Sequence, residues 1–165
     1  MKKLVLIDSN ALVHRAFHAL PPLSSPTGQP TNAVYGFTSL LLKMIGDLKP
    51  DYMVATFDLA GPTFRHEEYD RYKAQRVKAP DELYAQIPAV KQVLTAMGIP
   101  IFTKEGFEAD DVIGTLSAQT QDIPDLQTVI VTGDLDTLQL VHGRTVVVFT
   151  LRKGMSDTVI YDENS

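Results

Sequence analysis

The apolar positions of this chain follow two rhythms that alternate along its length. Short, largely apolar runs at residues 3–7 (KLVLI), 52–57 (YMVATF), 99–102, 128–131 and 145–149 read as strands, the first of the kind buried on both faces. Between them, apolar residues recur at every third or fourth position. Residues 10–19 read as a helix, and a loop rich in Pro and Ser/Thr follows at 20–30. Val34, Phe37, Leu41, Met44, Ile45 and Leu48 mark a second helix, capped by Thr31 or Asn32 and ended by Lys49-Pro50. Residues 81–97 predict a third, with Leu83, Ile87, Val90, Val93 and Leu94 as its stripe and Gly98 as its stop. A fourth begins after Phe107 and buries Ala109, Val112, Ile113 and Leu116. A brief helix at 136–140 and a hairpin at 151–161, turning at Lys153-Gly154, complete the pattern. Strand and helix in alternation predict an α/β fold, a parallel sheet covered by helices.

In such sheets ligands bind outside the carboxyl ends of the strands. Asp8 directly follows the first strand, Asp58 the second, and Asp134 lies just beyond the fourth, so three carboxylates converge on one edge. Taken singly, each is also a good helix N-cap. Glu108, Asp110 and Asp111 fall in the first turn of the fourth helix, where the macrodipole favours acids. Glu108 and Asp111 share a face and Asp110 points about 100° away, so the turn presents carboxylates over a broad arc. Asp136 adds another, one residue past Leu135 in a tight turn opened by Gly133. Seven carboxylates packed together repel unless protonated or neutralised, and hard oxygen donors select Mg²⁺ or Mn²⁺. Two such ions about 4 Å apart suit phosphodiester hydrolysis, activating a water and stabilising the departing oxygen.

Other chemistries lose their support. There is no cysteine, hence no disulfide, thiolate site or cysteine nucleophile. His14 and His18 lie four apart, but Arg15 stands where a zinc-protease pattern needs glutamate, so HRAFH reads as surface or interface. His66 and His142 have no partner at ligand spacing, and no phosphate-binding glycine loop or Gly-x-Ser-x-Gly elbow occurs. With 165 residues, 44% of them hydrophobic, the chain predicts one domain. Lacking a long apolar segment or a signal-peptide pattern, it is expected to be soluble and cytoplasmic, with no membrane partner.

The formal charge of −5 is that of an ordinary acidic domain. With the seven edge carboxylates set aside, 13 acids face 15 Lys and Arg, a balance of +2. Residues 61–80 are polar, aromatic and basic together, with five Lys/Arg against three Asp/Glu. Here Arg65, Arg71, Lys73, Arg76 and Lys78 interleave with Phe64, Tyr69 and Tyr72, a mixture suited to phosphate contacts and to stacking on unpaired bases. A basic amphipathic surface helix is the alternative reading. The segment leaves the strand end at Asp58 and must start beside the acidic edge.

Five ordered segments, LVLIDSNALVHRAFHAL, TGQPTNAVYGF, FDLAGPTFRHEEYDRYKAQR, EGFEADDVIGTL and VTGDLDTLQL, resemble the motifs of the 5′ nuclease domains of bacterial DNA polymerases I, within the flap endonuclease and PIN-like superfamily. The resemblance implies a PIN-like, resolvase-like parallel sheet with helices on both faces. By position it implies metal ligands at Asp8, Asp58, Glu108, Asp110, Asp111, Asp134 and Asp136, holding two Mg²⁺ or Mn²⁺ ions. DNA-gripping residues fall on Arg65, Tyr69, Tyr72, Lys73 and Arg76, with Lys73 and Arg76 also at the scissile phosphate. The implied activity is that of a 5′-3′ exonuclease or flap endonuclease, acting on DNA with a 5′ flap or 5′ end and on RNA-primed DNA in replication and repair. Ser9, His14 and Leu135 depart from the usual residues, and none of them removes a ligand. The resemblance further implies one domain over residues 1–165 without the helix-three-turn-helix duplex-binding module, monomeric and fused in a longer parent to a polymerase. A stand-alone PIN-type ribonuclease and a non-catalytic nucleic-acid-binding module are the alternatives.

Overall fold

The computed structural model describes residues 1–69 and 71–165. Asp70, one of the three acids counted in the 61–80 segment, lies outside the described residues. Among the described residues six strands form one sheet, in the order β3 (Ile101–Phe102), β2 (Tyr52–Thr56), β1 (Lys2–Asp8), β4 (Leu126–Thr132), β5 (Val146–Lys153) and β6 (Asp157–Tyr161). Strands β1 to β5 pair in parallel, and β6 returns antiparallel along β5. The hairpin turns at Gly154, whose φ of 59° is cheap only for glycine.

The apolar runs of β1, β4 and β5 are buried on both faces, each face packing on a different layer. Val5, Ile7, Ala55, Val129, Val131, Val147 and Phe149 share a core with residues of α1 (Ser9–Ala19), α2 (Asn32–Leu48) and α5 (Ile87–Ala96). Leu6, Ile130 and Val148, one residue out of phase, pack with Ile113 of α6 (Ala109–Thr120) on the other face. Helices therefore cover both faces, and β1 sits at the centre of the sheet between β2 and β4.

Two local expectations are corrected. The helix expected at 81–97 is two pieces, α4 (Asp81–Tyr84) and α5. A continuous helix would need Pro88 to donate to the Tyr84 carbonyl, and proline has no N–H and crowds that oxygen. The cap of α2 is not supplied by its own flank either, since Thr31 makes no side-chain bond there. Gln86, 2% exposed between α4 and α5, accepts with Oε1 from the N–H groups of Ala33 (2.7 Å) and Val34 (3.1 Å). Its Nε2 donates to Asn32 Oδ1 at 2.9 Å and to the Glu82 carbonyl at 3.1 Å. A distant side chain thus satisfies the first-turn donors that a helix leaves open.

The described residues of the 61–80 segment include one short helix, α3 (Phe64–Glu68), followed by turns over 71–75. The brief helix expected at 136–140 is a 3-10 helix, Leu135–Leu140.

Candidate functional site

Three parallel strands deliver their carboxylates to one edge, and α6 brings a fourth. Asp8 ends β1 and is 4% exposed. Its Oδ1 accepts from the Ala11 N–H at 3.2 Å, capping α1, and its Oδ2 accepts the Thr132 hydroxyl at 2.8 Å. Asp58 follows buried Phe57 beyond β2 and is itself exposed. Its N–H donates to Asn10 Oδ1 at 2.8 Å, and its Oδ1 accepts from the N–H of Ala109, the first residue of α6, at 2.6 Å. Asp134, past the end of β4, accepts with Oδ1 from the Asp136 N–H at 2.9 Å and donates its own N–H to Thr132 Oγ1 at 3.0 Å. The capping role therefore holds for Asp8 and Asp134, and it coexists with their convergence.

Asp110 gives the clearest sign of that convergence. Its pKa is pushed up to about 6, first by burial and then by the charges of Asp8, Asp134, Asp58 and Glu108. Among the described residues no hydrogen bond or ion pair reaches its carboxylate. Asp8 is also raised, chiefly by burial; the Thr132 hydroxyl and Ala11 N–H pull it down, while Asp58 and Asp134 push it further up. Asp8, Asp58, Asp110 and Asp134 thus form an inner group that feels its own repulsion.

Glu108 and Asp111 are arranged differently. Glu108 is the N-cap residue of α6 and not part of its first turn, and its N–H donates to Asp111 Oδ2 at 2.9 Å. Arg65 forks the Asp111 carboxylate with bonds of 2.8 and 2.7 Å and also touches Glu108 at 3.4 Å. The Tyr72 hydroxyl donates to Glu108 at 3.2 Å, and Lys73 Nζ binds its other oxygen. The arginine fork holds Asp111 below the usual carboxylate range, against the effect of partial burial. Burial alone would lower Lys73, but the hydrogen bond and charge of Glu108 outweigh it and the net shift is upward. Asp136 is exposed at the start of the 3-10 helix. The seven carboxylates are consequently not one equivalent cluster. Among the described residues, no three acids or histidines stand close enough, as their side chains are placed, to share an ion.

The donor set nevertheless fits a hard divalent cation in kind. The inner group is all carboxylate oxygen, among the described residues no Lys or Arg bond balances its repulsion, and a cation is what would relieve it.

The basic segment lies against this edge. Thr63 caps α3 together with His66, whose Nδ1 accepts from the Thr63 N–H at 3.0 Å, so the histidine without a ligand partner is a capping group. His66 also meets the Tyr72 ring edge-on at 5.3 Å. Lys73 has a φ of 57°, a left-handed conformation that lysine rarely adopts. Arg71, Lys73, Ala74, Gln75 and Arg76 line a cleft of about 410 Å³. Of the five residues expected to meet DNA, Tyr69, Lys73 and Arg76 are exposed; Lys73, with Tyr72, is bonded to the α6 cap residue Glu108, and Arg65 to Asp111.

Sequence reasoning missed three neighbours of the site. His14 is half-buried, and its pKa is lowered by burial, His18 and Arg76 and raised by Asp58, which places it at this edge rather than on a remote surface. Asn10 and Thr132 carry the hydrogen bonds described above. The available signal was positional: Asn10 and His14 lie within two turns of Asp8 on a helix that begins at the edge, and Thr132 closes the apolar run of β4.

A mostly parallel sheet with helices on both faces is the architecture of the PIN-like, resolvase-like fold. The family described as "5'-3' exonuclease, N-terminal resolvase-like domain" matches residues 3–165, and the chain belongs to it. It is 49% identical over 145 residues to DNA polymerase I of Caldicellulosiruptor bescii, covering 88% of this chain and 17% of that one. It is 45% identical over 160 residues to DNA polymerase I of Bacillus subtilis, covering 97% and 18%. The chain thus spans less than a fifth of the length of these relatives. Among solved structures, the T5 D15 protein co-crystallised with metal ions superimposes with a TM-score of 0.71 at 18% identity, over 98% of this chain and 58% of that one. The bacteriophage T5 D15 flap endonuclease in a complex with DNA and metal ions gives 0.76 at 16% identity, with the same coverage. These two likenesses show the fold.

Proposed function

We propose that this chain is a divalent-metal-dependent 5′ nuclease domain that hydrolyses phosphodiester bonds near the 5′ end or 5′ flap of DNA and of RNA-primed DNA. The single observation that carries the reading is the inner group of Asp8, Asp58, Asp110 and Asp134, mutually repelling and lying beside a segment rich in Lys, Arg and Tyr. These four would hold Mg²⁺ or Mn²⁺, in a pair of sites to which Glu108, Asp111 and Asp136 add charge. Such ions supply a water acidified to act as nucleophile and stabilise charge on the departing oxygen. The protein's own part is positioning and electrostatics. Arg76 and Lys73, on the cleft, suit the phosphate; Tyr69 offers an exposed ring for stacking; Arg65 and Tyr72 hold the α6 acids in place. The relatives' name, DNA polymerase I, supports a place in replication or repair beside a polymerase.

The test is incubation with a 5′-labelled flap, a labelled single-stranded RNA and Mn²⁺ or Mg²⁺, with EDTA as the control. Flap cleavage that needs metal and falls at least tenfold in Lys73→Ala is expected. Preferential cutting of the RNA would favour a ribonuclease instead, and binding of DNA without metal-dependent cleavage would leave a binding module.

A further inference from the structure

A polar row crosses the carboxyl edge of the sheet on the face that α6 covers. Asp8 pairs in register with Thr56, and Thr132 with Thr150; the first three close their strands, whereas β5 runs on past Thr150. Thr56 donates its hydroxyl to the Ile7 carbonyl at 3.0 Å, an ordinary way to satisfy a buried threonine. Thr132, 0% exposed, does something else. The Asp134 amide can only donate, so Thr132 Oγ1 accepts there at 3.0 Å; a carboxylate can only accept, so the one hydroxyl hydrogen goes to Asp8 Oδ2 at 2.8 Å. The direction of both bonds is therefore fixed. A single buried hydroxyl, 124 positions along the chain from Asp8, joins the carboxylate that ends β1 to the backbone of the acid that follows β4.

We propose that Thr132 is a positioning residue that sets the orientation of the Asp8 carboxylate and its spacing from Asp134 for cation binding, an inference that rests on the metal-dependent reading above. The Asp8 side chain is held at both oxygens, by Ala11 N–H and by the Thr132 hydroxyl, so it has one orientation in the apo protein. Without the hydroxyl, Oδ2 loses its donor and the Asp134 N–H loses its acceptor, and the two acids are no longer coupled. Partners that orient ligating groups typically alter metal affinity by about 10–100-fold when removed. Thr150 provides an internal control. It is buried in the adjacent register position, yet its hydroxyl has no hydrogen-bond partner among the described residues, so deleting that hydroxyl should not disturb the edge.

The experiment is Mn²⁺ titration of the 165-residue chain by calorimetry, with apo melting temperatures recorded in parallel, for the wild type, Thr132→Val, Thr132→Ser and Thr150→Val. Thr132→Val is expected to weaken Mn²⁺ binding at least about tenfold, with Thr132→Ser restoring it to within about threefold and Thr150→Val leaving it unchanged. A merely structural threonine would lower the apo melting temperature and leave the affinity of the folded protein alone. If Thr132→Val does not fold, Thr132→Ser and Thr132→Ala, which differ by the hydroxyl alone, make the same comparison: weaker binding by Ala supports the proposal and equal affinities overturn it. Saturable Mn²⁺ binding of equal strength in wild type and Thr132→Val overturns this inference alone. No saturable binding by the wild type overturns the metal reading and this inference with it.

Discussion

Replacing Arg65 by alanine separates a substrate-gripping arginine from one that builds the site. Its guanidinium makes two charge-assisted bonds to Asp111, at 2.8 and 2.7 Å, and a longer one to Glu108. Fully buried, two such bonds would contribute several kcal/mol, since hydrogen bonds to charged groups are worth about 1.5–3 kcal/mol each. The Arg65 side chain is 31% exposed, however, and exposed pairs contribute only about 0–1 kcal/mol. An intermediate loss of about 1–2 kcal/mol is expected, or roughly 2–8 °C in melting temperature for a domain of this size. The arginine holds Asp111 below its ordinary pKa, so its contribution is complete above the unfolded aspartate value of about 3.9 and disappears as pH falls through the lowered folded value. Melts of wild type, Arg65→Ala and Arg65→Lys from pH 7 to pH 3 would check this. The wild type should exceed the alanine variant at neutral pH and converge on it in acid, with lysine between them because it keeps charge without the fork. An alanine variant melting within 1 °C (roughly 0.3–0.5 kcal/mol) of wild type at pH 7 would refute the structural role, and a large loss of DNA affinity in that variant would return Arg65 to the substrate.

Three further outcomes follow from the same geometry. Gln86→Leu strips the α2 donors at Ala33 and Val34 of their acceptor and should destabilise by about 2–4 kcal/mol in urea unfolding, given about 1–3 kcal/mol per buried group left unpaired; an unchanged midpoint would mean water replaces the amide. Gly36→Ala places a methyl 2.7 Å from Ala16 Cβ where α1 crosses α2, so a loss of about 1–3 kcal/mol is expected, and a stabilised variant in the same assay would contradict that packing. Because Asp110 is raised to about 6, its folded form binds a proton more readily than the unfolded chain, so its contribution is greatest below about pH 4 and is lost as pH rises through 6. Metal competes with that proton, and the rise in melting temperature caused by Mn²⁺ should be larger at pH 8 than at pH 5.5; equal shifts would place Asp110 outside the metal site.

The sequence by itself determined the layers and the gathering of acids at one edge of the sheet. Burial on both faces writes itself as an unbroken run, as in KLVLI and TVIV, and amphipathic helices write the 3.6-residue rhythm, so the parallel sheet and the edge carrying Asp8, Asp58 and Asp134 could be read before any coordinates. Even the break between α4 and α5 was present locally, in Pro88, though the apolar stripe overrode it. What the tertiary structure decided were partnerships between side chains far apart in the chain. Nothing near Arg65 says that it forks Asp111, 46 residues on, and nothing near Gln86 says that it caps a helix 53 residues earlier. Seven acids looked equivalent in one dimension; in three, the charges of Asp8, Asp58 and Asp134 act on Asp110, whereas Glu108 and Asp111 are bonded to Lys73 and Arg65. Local pattern records how much of each residue is buried, because burial is a sum over many neighbours, whereas a hydrogen bond depends on one distance and one angle that only the packed layers set.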